Sequence, residues 1–295
     1  MIVDFIKRIF AVFIILCFSH SIIAQGGGRE FPFPHIPDLI IKPQQRASWL
    51  ICHYWDNIDF SDDNIISDTV FIEQAFVNFL SIFPIIESDE DIALGVKLLL
   101  QKAEIKYQVY EIVISLAEKY LFELDSPLMN EEFYIFFLEQ INNSNFLSDV
   151  KKSRTKYHYN IVVKNRKGTK AANFDFVTSK GVNSSLYDIL TDELIILFYD
   201  PECDNCIDVI NKLKNNIEIN KRIILGKTKI LAIYPDGDYY IWQKSVSKMP
   251  ENWIVAFATS PIQPIGKYIL RALPTIYVVD KNKKVLVKDI NVDNL

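Results

Sequence analysis

Cys203-Asp204-Asn205-Cys206 is the part of this sequence whose residue types and spacing could do chemistry. Two thiols separated by two residues can form a disulfide with each other and exchange it with a partner, because a thiolate is both nucleophile and leaving group. The pair sits where the apolar run Leu194 to Tyr199 gives way to a helical pattern. Cys206, Val209, Ile210 and Leu213 recur at helical spacing, which predicts Cys206 on the buried face of a helix. Cys203 then falls at the helix entrance, where unpaired backbone N–H groups and the helix dipole favour a thiolate. An exposed attacker with a sheltered partner is what dithiol exchange requires.

Glu202, Asp204 and Asn205 are the candidate redox-tuning positions. Glu202 and Asp204, with Asp200 and Asp208, crowd the pair with negative charge and no basic residue among them. Negative charge disfavours the thiolate, whereas strong oxidants depend on a heavily stabilised one. The expected direction is therefore a reductant or isomerase of disulfides. The competing reading is that these acids face solvent, where screening over ~8 Å leaves little effect.

The pair could also be a structural disulfide or half of a zinc site. Zinc takes about four ligands, and only Cys52, His35, His53 and His158 accompany the pair outside the amino-terminal segment, none at ligand spacing. No metal is expected. Cys52, beside Ile51 and near Trp55, reads as a core cysteine, and His53 and His158 as structural or surface groups. The acidic run Glu87–Asp91 lacks the glycine and ligand alternation of a calcium loop and reads as a solvated helix start.

The elements that must position the pair lie in the second half of the chain. Leu194–Tyr199 and Ile230–Tyr234 are apolar without alternation, as central strands covered on both faces should be. Thr275–Val279 and Val285–Val287 flank the charged turn at 280–284 and read as a hairpin. Helices are expected at Cys206–Asn216 and around Ile262–Leu270. This order predicts a small mixed sheet with helices on its faces.

Ahead of it, from Gln44 to about Tyr159, the pattern is almost entirely helical. Ile72, Ala75, Phe76, Phe79, Leu80 and Phe83 trace one helical face, and Ser88 with Asp91 forms a cap-like pair opening another helix. A helical bundle is expected. The polar stretch 164–168 marks the change of pattern, giving an all-α region at 44–165 and an α/β region at 168–295.

The chain has 295 residues, of which 49% are hydrophobic and 13% aromatic, enough for two packed cores. A formal charge of −5 without a long basic stretch argues against nucleic acid as a partner. Lys7 and Arg8 precede an apolar segment from Ile9 to Phe18, and Ala24 offers a small residue before a cut ahead of Gln25. Residues 1–24 therefore read as an export signal, followed by an extended lead-in at 25–43 containing the Gly26-Gly27-Gly28 run. An apolar segment of about ten residues is short for a ~30 Å hydrocarbon core. Membrane attachment is expected only where the signal stays uncleaved. Cys17 lacks the small preceding residue of a lipidation site. Three cysteines would remain after cleavage, too few for an exported scaffold stapled by disulfides.

The run from Leu194 to Cys206, with Leu273-Pro274-Thr275 before a later strand, resembles the thioredoxin-like thiol–disulfide oxidoreductases, most closely the exported bacterial TlpA/ResA type. Phe174, Phe176 and Gly181 look like that family's opening segment, and Trp253 fits the region before its last helix. The resemblance covers roughly 168–295 and implies a thioredoxin-like fold with Cys203 and Cys206 as the reactive pair. It implies a cis Pro274 against that pair, a Leu273 backbone that meets the substrate chain, and a periplasmic location. No cofactor is expected beyond the redox-active Cys203–Cys206 disulfide. The expected partners are a protein or small-molecule disulfide and a redox donor. Two departures stand out. Leu197 occupies the position of thioredoxin's buried aspartate, and the sequence stops at Leu295 soon after the hairpin, so the family's closing helix is expected to be vestigial. Arg46-Ala47-Ser48 through His53-Tyr54-Trp55-Asp56, with Phe60, resembles an uncharacterised helical domain found ahead of thioredoxin folds in secreted bacterial proteins. The alternative function is a non-catalytic interaction module of the cell envelope built on the same platform.

Overall fold

The computed structural model describes residues 29–263 and 266–295. The expected export signal at 1–24 and the glycine run of the lead-in lie outside these residues. The chain divides into two compact units between Lys156 and Tyr157.

In the first unit, α1 (Pro43–His53), α2 (Asp63–Ser67), α3 (Thr69–Ile82), α4 (Asp89–Ala103), α5 (Tyr107–Leu121) and α6 (Glu131–Asn143) follow one another, and α7 (Ser153–Val162) runs across the division. Helix starts are written in the sequence. Asp68 accepts from the Phe71 N–H at 3.1 Å, and Ser88 accepts from the Asp91 N–H at 3.2 Å, each satisfying an otherwise unpaired donor. Asp89, Glu90 and Asp91 of the acidic run fall in the first turn of α4, as the helix-start reading requires. The expected face of α3 is buried, and Phe76, Phe79 and Phe83 are fully enclosed. Helix α4 lies close against α1, since a Cβ at Gly95 would meet Ile51 Cγ1 at 2.7 Å. The described part of the lead-in forms no helix or strand before α1, and Phe31 stacks on Tyr54 with ring centroids 4.5 Å apart.

The second unit is a seven-stranded mixed sheet. Its strands are β1 (Asp175–Thr178), β2 (Asn183–Ser185), β3 (Glu193–Phe198), β4 (Thr228–Tyr234), β5 (Ile254–Ala258), β6 (Thr275–Asp280) and β7 (Val285–Lys288). They lie in the order β2-β1-β5-β4-β3-β6-β7. Strands β3, β4 and β5 are parallel, while β6 runs antiparallel to β3 and β7 to β6. Helices α8 (Asp204–Asn215) and α9 (Ile217–Ile224) connect β3 to β4, and α10 (Tyr239–Ser245) leads from β4 toward β5. Successive β3 residues enter different cores. Leu194, Ile196 and Phe198 pack on one face, whereas Ile195 and Leu197 pack on the other with Cys206. That is why the run shows no polar alternation. In the β6–β7 turn the Asp280 carboxylate accepts from the Asn282 and Lys284 N–H groups at 2.8 and 2.7 Å.

The sequence reading differs from the structure at two places. The helix expected around Ile262–Leu270 does not form. Its described residues make turns, because Pro261 and Gly266 at φ 61° break the pattern, and the apolar side chains Ile262, Tyr268 and Leu270 serve the core individually. Strands β1, β2 and β5 are additional to the four the sequence marked, being only three to five residues long. After β7 the described chain makes one 3₁₀ turn, Val292–Asn294, with Val292 in the Cys206 core.

Candidate functional site

Strand β3 delivers the chain to the end of the sheet, and a short turn then starts α8. The Tyr199 N–H still donates to Ile233 O at 3.1 Å, as a last rung of the ladder. Asp200 then closes the turn twice: its carbonyl accepts from the Cys203 N–H at 3.2 Å, and its carboxylate accepts from the Glu202 N–H at 2.8 Å. Cys203 is the N-cap of α8, in extended conformation, and its Sγ accepts from the Cys206 N–H at 3.3 Å. A sulfur here does the work usually given to a serine or aspartate oxygen, and it feels the partial positive charge of the helix start.

Cys206 sits one turn inside α8 and is fully buried, while Cys203 is half-buried. Both are free thiols. Burial pushes the Cys206 thiol up to about 12; the Asp200 N–H, which donates to its sulfur at 3.4 Å, works the other way, and the Cys203 sulfur and Asp200 carboxylate add to the rise. The pairing of Phe198 with Thr275 across β3 and β6 places residues 273–274 just past the strand end, beside the cysteines. The Leu273–Pro274 peptide is cis, and the Cys203 thiol donates to Leu273 O at 3.5 Å. The residues the sequence singled out at Cys203, Cys206, Leu273 and Pro274 thus converge on one spot from positions 70 residues apart.

Glu202, Asp204 and Asn205 are exposed on the rim, as is Asp208. Leu197 is buried in the same core as Cys206, so that position offers no carboxylate. Two side chains near the pair went unremarked in the sequence. Tyr199 is buried with its phenol pushed up to about 12 by burial, and Tyr234 is raised first by burial and then by Asp200. The Tyr234 ring lies where a Cβ on Gly237 would fall, at 1.9 Å from that position, so glycine is what lets the loop after β4 close over it. A single glycine after a strand was the available signal, too common to be decisive.

Cys52 lies in α1, half-buried, with its thiol raised by burial and then by Asp91 and Asp56. The His53 Nδ1 is 2.7 Å from Asp56 Oδ2, His158 is buried in α7, and His35 is exposed. Among the described residues no three histidine, cysteine or acidic side chains are grouped to hold a metal ion.

Residues 17–165 match DUF5106, a domain of unknown function. The chain is similar to a thioredoxin-like protein from Bacteroides caccae, with 34% identity over 90% of this chain and 96% of that one, and a TM-score of 0.81. The C-terminal domain of an uncharacterised Bacteroides fragilis protein shares 35% identity over 44% of this chain and 94% of its own, with a TM-score of 0.43. A domain of a possible thiol-disulfide isomerase from Cytophaga hutchinsonii shares 20% identity over 44% of this chain and 88% of its own, with a TM-score of 0.35. No curated protein matches. With 34% identity to the Bacteroides caccae protein over 90% of its length, the chain belongs to the thioredoxin-like family, with a DUF5106 region at residues 17–165.

Proposed function

We propose that the protein is an exported thiol–disulfide oxidoreductase that reduces or isomerises protein disulfides through Cys203 and Cys206. One observation carries this reading: the half-buried Cys203 sulfur lies at the start of α8 and against Leu273 O, with the buried Cys206 one turn behind it. The Cys203 thiolate attacks a partner disulfide. A Cys203–partner bond forms, the partner S–S bond breaks, and one partner sulfur leaves as a thiolate. Cys206, losing its proton to water or to that thiolate, then attacks Cys203, forming the Cys203–Cys206 disulfide and releasing the second partner thiol. Two electrons pass to the partner, and a separate dithiol donor restores the pair. The Leu273 backbone lines the place where the partner chain is held, and Pro274 shapes it. The cycle needs no cofactor.

The direction follows from the proton on Cys206. A Cys206 thiol pushed up to about 12 keeps its proton at neutral pH, and the exposed acids at 202, 204 and 208 add no stabilisation to a thiolate. Oxidants of this fold need the opposite. The location proposed is the bacterial periplasm, on the export-signal pattern of residues 1–24.

Insulin-disulfide reduction driven by dithiothreitol tests the activity. Wild type should accelerate turbidity, and Cys203→Ser and Cys206→Ser should lose the acceleration; equal rates for all three would sink the proposal. A reduction potential near −270 mV supports a reductant, and one near −120 mV would reverse the direction, these being roughly the values at the two ends of this fold's range.

A further inference from the structure

Cys206 must lose its proton to attack Cys203, and its surroundings make that loss hard. The thiol is fully buried and pushed up to about 12, chiefly by burial. Ile195, Leu197 and Leu213 share its core and hold no proton acceptor. Asp200 is the exception. Its backbone N–H donates to the Cys206 sulfur at 3.4 Å, and that sulfur feels the Asp200 carboxylate. Because the carboxylate hangs from the same residue, chain geometry keeps it at most roughly 7 Å from the sulfur, within reach of proton transfer directly or through one water.

The turn holds Asp200 in place. Its carbonyl accepts from the Cys203 N–H at 3.2 Å, and its Oδ1 accepts from the Glu202 N–H at 2.8 Å. Among the described residues Oδ2 makes no hydrogen bond and the carboxylate no ion pair, so one oxygen is open to a proton. The residue is half-buried, which lets a proton it has taken pass on to solvent. The other titratable groups around it are Glu202 and Cys203 in the same turn, Tyr199 before it, and Tyr234 on β4 with Asp238 beyond. Both phenols are raised by burial and keep their own protons. Glu202 is exposed, and Asp238 is occupied by the Tyr240 and Ile241 N–H groups at 2.7 and 3.3 Å.

We propose that Asp200 is the proton acceptor of the second exchange step. This rests on the dithiol reading above and gives the Cys206 proton a built destination in place of direct loss to solvent. The S–H proton passes to the Asp200 carboxylate as the Cys206 sulfur attacks Cys203. The Cys203–Cys206 bond forms, the Cys203–partner bond breaks, and its electron pair leaves on the partner sulfur. The Asp200 carboxylic acid then gives its proton to that thiolate or to water.

A single turnover of the reduced full chain with one equivalent of 4,4′-dithiodipyridine tests this, in a Cys17→Ser/Cys52→Ser background where Cys203 and Cys206 are the remaining thiols. The reagent is neutral, and each half absorbs on release: the first as Cys203 attacks, the second as Cys206 resolves the adduct. Asp200→Asn has the same shape and keeps an oxygen for the Glu202 N–H. It should slow the second phase relative to the first by at least about tenfold, the low side of what a lost general base costs. The direction is diagnostic. The Asp200 charge raises the Cys206 thiol, so a residue acting through charge alone would leave the second phase faster once neutralised. Between about pH 6 and about pH 8 the variant's second phase should climb by about tenfold per unit as hydroxide takes over, while that of the parent changes little. A second phase unchanged or faster in Asp200→Asn, or equal pH slopes in the two proteins, would overturn the assignment. A missing first phase in the parent would instead overturn the exchange reading on which it rests.

Discussion

The Cys206 N–H donates to the Cys203 sulfur at 3.3 Å, so one cysteine caps the helix that carries the other. This bond joins backbone geometry to reactivity. The donor that completes the helix start also stabilises negative charge on the attacking sulfur. When the pair is oxidised, that stabilisation has no thiolate to act on.

Removal of the second thiol should arrest the cycle at its covalent midpoint. In Cys206→Ser the mixed disulfide on Cys203 has no internal attacker, so clients should accumulate as adducts visible on non-reducing gels and by mass spectrometry. Cys203→Ser should give none. Adducts forming equally in both variants would show that Cys203 is not the attacking group.

Alkaline pH should weaken the reduced protein more than the oxidised one. The Cys206 thiol moves from an ordinary 9.0 to about 12 on folding. The unfolded chain therefore gives up this proton first. The contribution is fully present below about pH 9 and is lost as pH rises toward the folded value. The disulfide form has no such thiol to titrate. Tyr199, pushed up to about 12 from 10.0 chiefly by burial, acts in the same direction in both forms. Melting temperatures at about pH 8 and about pH 10.5 should show the reduced form falling relative to the oxidised form. A constant gap would contradict this account of Cys206.

The close approach of α1 and α4 should not tolerate a side chain at Gly95. Leucine there would drive into Ile51 Cγ1 at 2.7 Å and the Ile51 carbonyl at 3.0 Å, neither of which can retreat without moving a helix. Overpacking of this kind costs about 2 kcal/mol. Gly95→Leu should lower the denaturant midpoint accordingly, and an unchanged midpoint would mean that the helices part freely.

Lys283 should matter through its tip rather than its stem. It is only 4% exposed, adopts φ 63° in the β6–β7 turn, and donates to Ile189 O at 2.7 Å. Lys283→Met keeps most of the stem but leaves that carbonyl without its donor, at a cost of about 1–3 kcal/mol. Chemical denaturation checks this; a loss under about 0.5 kcal/mol, the scale of ordinary surface changes, would show that water replaces the ammonium.

Local chemistry was legible in the sequence. The Ser88 cap, the aromatic face of α3, the two doubly covered strands, the charged hairpin and the cysteine at a helix entrance each depend on residues within a few positions, where period and capping act directly. Leu273 and Pro274 entered through a family likeness, since nothing in their neighbourhood says that they meet Cys203. Tertiary structure alone decided what depends on distant partners. Short strands such as β1, β2 and β5 are stabilised by their neighbours in the sheet, and carry too few residues for a period to show. The stretch 262–270 looked helical because its apolar spacing was right, yet each side chain fills a separate place in the core. The proton on Cys206 belongs to the same class, because burial exists only once the chain has closed on itself.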